Sequence, residues 1–129
     1  MNKILIIDDD QVIRMVYGDE LDEEGFAVVS VDESRAMQLI EKENPDVVVM
    51  DVQSANYNKL DLLRDIRRAY HHLPVILCGA SPMFDYHLKA IAADYYVVKD
   101  SNLTELKRKL KMAFEEVRER KYLAGPEKG

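Results

Sequence analysis

The stretch Pro45-Asp46-Val47-Val48-Val49-Met50-Asp51 runs four apolar residues without a polar break and stops on a carboxylate. A short, valine-rich apolar run is the pattern of a strand buried on both faces, the usual state in a parallel sheet. Asn44-Pro45 ahead of it marks a turn, because a proline cannot continue a helix. The pattern predicts a central strand over 46–51 with Asp51 at its end. In open α/β sheets, that end is where ligands bind.

Two more runs lead outward from this one. Lys3-Ile4-Leu5-Ile6-Ile7 is apolar and ends in Asp8-Asp9-Asp10. Asp94-Tyr95-Tyr96-Val97-Val98-Lys99 delivers a lysine from its end instead. If these strands are parallel neighbours, acids from two of them and a lysine from a third meet at one edge. Clustered carboxylates raise one another's pKa unless a cation lies among them. The set suits a hard cation and a phosphoryl group.

The intervening sequence alternates strand and helix. Strands are expected over 3–8, 26–31, 46–51, 75–78 and 95–98. Asp9 or Asp10 can cap the first helix, which carries Ile13, Val16, Tyr17 and Leu21 on one face and stops near Gly25. A second helix starts at Asp32 to Ser34 and turns Ala36, Leu39 and Ile40 inward. A third starts near Asn58, with Leu60, Leu63 and Ile66 inward. A short fourth helix is expected over 83–92, and a last one opens at Ser101 or Asn102. Its buried stripe is Leu103, Leu106, Leu110, Phe114 and Val117. Crossovers of this length permit parallel pairing, and right-handed crossovers give a doubly wound α/β sheet with helices on both faces.

Composition narrows the function. A chain of 129 residues has room for one domain with a real core and not for two. The net charge of −6 argues against direct nucleic-acid binding. The single cysteine, Cys78, excludes an internal disulfide and fits a reducing compartment. The apolar run at Ile4 is too short for a signal peptide, and no run reaches transmembrane length. These features predict a cytoplasmic domain without membrane contact. The adjacent His71 and His72 read as solvated turn residues, and Lys107-Arg108-Lys109 with Lys111 as the wet face of the last helix.

The order and spacing of Asp8 and Asp9, Asp51 and Lys99 resemble the response-regulator receiver domain of two-component signalling. The resemblance covers roughly residues 2–120, which implies a receiver domain over 1–122 with 123–129 as a tail or linker. It implies a flavodoxin-like (βα)5 fold with five parallel strands in the order 2-1-3-4-5. It implies a signalling switch rather than an enzyme, with Asp51 taking phosphate from a sensor histidine kinase or phosphotransfer protein. It further implies Mg²⁺ bound by Asp8, Asp9, Asp51 and the carbonyl of Gln53, with Lys99 contacting the phosphoryl group. The face of helix four, strand five and helix five resembles the surface receivers use for homodimers or effectors.

This chain also departs from the receiver pattern. Receivers carry Thr or Ser at the end of strand four, where this sequence has Gly79; the switch aromatic on strand five is retained as Tyr96. Ala55, Lys59 and Asp100 stand where proline, glycine and proline are usual. A second reading is therefore a degenerate receiver that binds partners without phospho-switching. A third is a haloacid-dehalogenase-type phosphatase with Asp8 as nucleophile and Asp10 as acid/base, although no late acidic pair accompanies them.

Overall fold

The computed structural model describes residues 2–52, 57–79, 93–99 and 102–124, the side chains of 57–60 and 121–124 excepted. Strands β1 (Lys3–Ile7), β2 (Ala27–Val31), β3 (Val47–Val52), β4 (Val75–Gly79) and β5 (Tyr95–Val98) form one sheet. Its order is β2-β1-β3-β4-β5 and every neighbouring pair is parallel. This is the doubly wound architecture expected from the sequence.

The period of two along each strand splits the core into two layers. Ile4 and Ile6 of β1, Val47 and Val49 of β3, and Ile76 and Cys78 of β4 face one layer. That layer is closed by α1 (Gln11–Glu23) and by the C-terminal helix (Thr104–Ala124). Leu5 and Ile7, Val48, Met50 and Val52, and Val75 and Leu77 face the other. There α2 (Ala36–Glu43) and α3 (Tyr57–Ala69) cover them. All six residues of β3 are buried, which is why the valine run shows no alternation.

Local signals start and stop these elements. Asp10 caps α1, its Oδ1 accepting from the Val12 and Ile13 amides at 2.9 and 3.3 Å. Gly25, at φ +96, turns the chain out of α1. Asp32 caps a 3₁₀ turn over Glu33–Arg35 that leads into α2, and Asn44 ends α2 in the left-handed region at φ 49. Asn102 Oδ1 accepts from the Thr104 amide at 2.8 Å and opens the C-terminal helix.

Some expectations shift. The first strand stops at Ile7, so Asp8 lies just past it, and β3 runs one residue beyond Asp51. The fourth strand likewise includes Gly79. Val16 is not part of the inner face of α1: it is 49% exposed, because the helix turns Tyr17 and Leu21 to the sheet instead. The expected fourth helix over 83–92 lies outside the described residues, as do Gln53, Ala55 and Asp100. The far end of the C-terminal helix is tied to the opposite edge of the sheet, where Arg120 Nη1 donates to the His72 carbonyl at 2.6 Å.

Candidate phosphoacceptor site

Parallel pairing aligns the ends of β1, β3, β4 and β5, and three charged side chains converge there. Asp51 pairs with Cys78 across β3 and β4, and Ile7 pairs with Met50, so Asp8 and Asp51 leave adjacent strands side by side. Both carboxylates are buried, each with 4% exposure. Lys99 follows β5 and reaches both: its Nζ lies 2.5 Å from Asp51 Oδ1 and 3.3 Å from Asp8 Oδ2.

The electrostatics follow from two acids sharing one base. Burial, reinforced by the charge on Asp51, holds the Asp8 carboxyl above the usual carboxylate range. The Asp10 amide, which donates to Asp8 Oδ1 at 2.9 Å, and the Lys99 ammonium offset only part of that rise. Burial works against the Lys99 ammonium, but the hydrogen bond and charge of Asp51, with those of Asp8, win and raise its pKa. Beneath the site, burial and the Asp51 charge push the Cys78 thiol up to about 12, so it stays protonated and inert as a nucleophile. Burial likewise pushes the Tyr17 phenol up to about 12.

The acids after β1 have separate tasks. Asp9 is exposed, and its Oδ1 accepts from the Glu33 amide at 3.0 Å, tying the end of β1 to the turn after β2. Asp10 is occupied as the cap of α1, which does not favour its role as acid/base partner to Asp8 in the phosphatase-type reading. Arg14, which sequence reading does not single out, holds the Asp8 carbonyl through Nη1 at 2.5 Å. The signal for it would be a basic residue one turn into a helix that follows an acidic strand end. Gly79 and Tyr96 are also brought together, the tyrosine ring lying over the glycine.

Among the described residues, no three His, Cys, Asp or Glu side chains are grouped as a metal cage. Two buried carboxylates beside one lysine nonetheless fit Mg²⁺, which takes one or two carboxylates and keeps several waters.

The family model described as response regulator receiver domain matches residues 4–111. The transcriptional regulatory protein CpxR of Klebsiella pneumoniae is 35% identical over 109 residues, which is 82% of this chain and 46% of that protein. The response regulator protein GraR of Staphylococcus haemolyticus is 29% identical over 120 residues, 91% of this chain and 53% of that protein. The chain therefore spans about half the length of these curated relatives. Among solved structures, the response regulator TrrA of Thermotoga maritima in complex with Mg²⁺-BeF superposes with a TM-score of 0.79 at 32% identity. That match covers 88% of this chain and 99% of TrrA. TrrA in complex with the histidine kinase ThkA superposes at 0.73, covering 88% of this chain and 98% of TrrA. The chain belongs to the response regulator receiver domain family, the signalling modules of two-component systems. No helix among the described residues is long and apolar enough to cross a membrane.

Proposed function

We propose that the chain is a phosphoacceptor: Asp51 takes a phosphoryl group from a phosphohistidine on a kinase or phosphotransfer protein. The observation that carries this is the buried Asp8–Lys99–Asp51 cluster. A carboxylate oxygen of Asp51 forms the new P–O bond while the donor's P–N bond breaks, giving an acyl phosphate. Lys99, already at hydrogen-bond distance from Asp51, is placed to follow the transferred charge onto the phosphoryl oxygens. Asp8, Asp9, Asp51 and the Gln53 carbonyl would hold Mg²⁺, which would supply further charge neutralisation when bound. Arg14 and the Asp10 amide keep Asp8 aimed at the site.

Two surfaces serve partners in this reading. Val12, Met15 and Val16 stand exposed on the first turns of α1, close to the acidic edge, and offer apolar contact to a docked donor. A cleft of about 470 Å³ between β5 and the C-terminal helix, lined by Tyr96, Val98, Asn102 and Glu105 among others, offers a second copy or an effector its place.

Incubation with radiolabelled acetyl phosphate and Mg²⁺ tests the reading. The expected result is metal-dependent label that hydroxylamine removes, as it removes acyl phosphates. Label resistant to hydroxylamine, or none, would leave the partner-binding module without phospho-switching as the better account.

A further inference from the structure

The Tyr96 hydroxyl occupies the space that a side chain on residue 79 would fill. A Cβ built on Gly79 would overlap Tyr96 Oη and stand 3.1 Å from Cζ and 3.2 Å from Cε1. Gly79 is not there for its backbone freedom. Among the described residues Gly25 is the glycine with positive φ, and Gly79 lies in a strand conformation open to any residue. What the glycine permits is the close seat of the phenol.

That seat is at the acceptor edge. Gly79 directly follows Cys78, the strand partner of Asp51, and its own partner is Val52. Its carbonyl accepts from the Lys99 amide at 2.6 Å, so the main chain of the site lysine is anchored on the same residue. Tyr96 starts beside Leu77, in the layer covered by α3, and its ring leans along β4 to Gly79. Val97 points into the opposite layer, and Lys99 has the same strand parity as Val97. A phosphoryl group carried past the edge by Asp51 would thus meet an ammonium from one side of the sheet and a phenol from the other. A phenol is a hydrogen-bond donor at neutral pH.

We infer that Tyr96 donates its hydroxyl to a phosphoryl oxygen on Asp51, supplying the side-chain donor that residue 79 lacks. This rests on the phosphoacceptor reading above and assigns a binding contact within it. The contact has a structural consequence. The phenol and a residue-79 side chain exclude each other, so the hydroxyl at this corner comes from β5 and not from β4.

The test uses the full chain, Mg²⁺ and beryllium fluoride as the phosphoryl mimic, with affinity measured by fluorine NMR. Tyr96→Phe should weaken binding roughly 10- to 100-fold, the usual cost of one hydrogen bond to a charged group. Gly79→Ser in the Tyr96→Phe background should restore most of it. Removing Oη clears the overlap, and the remaining ring contacts need only a few tenths of an ångström. Circular dichroism of each variant establishes that it is folded. Equal affinity of Tyr96→Phe and wild type would overturn the inference and leave the phosphoacceptor reading standing. A loss that Gly79→Ser does not restore would also overturn it, since the ring's packing rather than its hydroxyl would then be at issue. A wild type that does not bind beryllium fluoride would sink both.

Discussion

The two edges of the sheet use the same side chain for opposite purposes. At the edge where the strands begin, Asp46 and Asp94 are spent on the backbone. Asp46 Oδ2 accepts from the Lys3 amide at 2.9 Å, and its own amide donates to the Lys3 carbonyl at the same distance, fixing β1 against β3. Asp94 Oδ2 accepts from the Val75 amide at 2.8 Å and from Arg67 Nη2 at 2.7 Å, fixing β5 against β4. Each of these acids is partly open to water and holds a strand end in register. At the edge where the strands finish, Asp8 and Asp51 are buried and share one lysine. Among the described residues two carboxylates meet a single cation, which leaves negative charge in excess, a cost that the fold bears at its chemical end. The contrast shows that a strand-terminal aspartate is not a functional signal in itself. What separates the edges is whether the carboxylates hold a strand end in register or lie buried around one shared lysine.

Substitutions at the two edges should therefore differ in kind. Lys99→Met should have the largest effect on the finishing edge, because it leaves two buried carboxylates without their cation. We expect a loss of about 3 kcal/mol at neutral pH together with weaker phosphorylation. Urea unfolding at several pH values checks this, and the loss should shrink as acid protonates Asp8. Asp94→Ala at the starting edge should cost about 2 kcal/mol, since it strands the amide of the buried Val75. Its labelling by a phosphodonor should stay at the wild-type level. If labelling fell as far as stability, the edges would not be separable in this way.

The smallest effect is also the most diagnostic in sign. Asp8 has a pKa raised above its unfolded value of about 3.8, so its ionised form is disfavoured in the folded state. At pH below the unfolded pKa both states are protonated and nothing is lost. As pH rises from the unfolded pKa to the folded pKa the cost grows, and above the folded pKa it is complete. Asp8→Asn should therefore raise the unfolding midpoint by a few degrees at pH 7, with the difference vanishing in strong acid. An unchanged or lowered midpoint at pH 7 would mean that Lys99 fully compensates both acids.

The strands were readable because apolar runs in a parallel sheet are long, uniform and bounded by turn residues; their order came from the receiver resemblance, since no run names its neighbours. Asp8, Asp51 and Lys99 were readable because each closes such a run. The division of labour among Asp8, Asp9 and Asp10 was not, since three consecutive acids give no hint of which one caps a helix and which one turns inward. Val16 was misplaced because the first helix exposes its opening turns beside the edge, where periodicity alone assigns every apolar residue to the core. The seat of Tyr96 on Gly79 depends on a side chain that is absent, and absence of bulk leaves no periodic trace. The same applies to Asp46 and Asp94, which each accept from a main-chain amide.

One measurement tests the central claim most directly. Wild type, Asp51→Asn and Asp46→Asn are incubated with acetyl phosphate and Mg²⁺, and their intact masses are compared. The account predicts a gain of one phosphoryl group for wild type and for Asp46→Asn, and no gain for Asp51→Asn. A phosphoryl group retained by Asp51→Asn, or lost in Asp46→Asn while that variant remains folded, would contradict it.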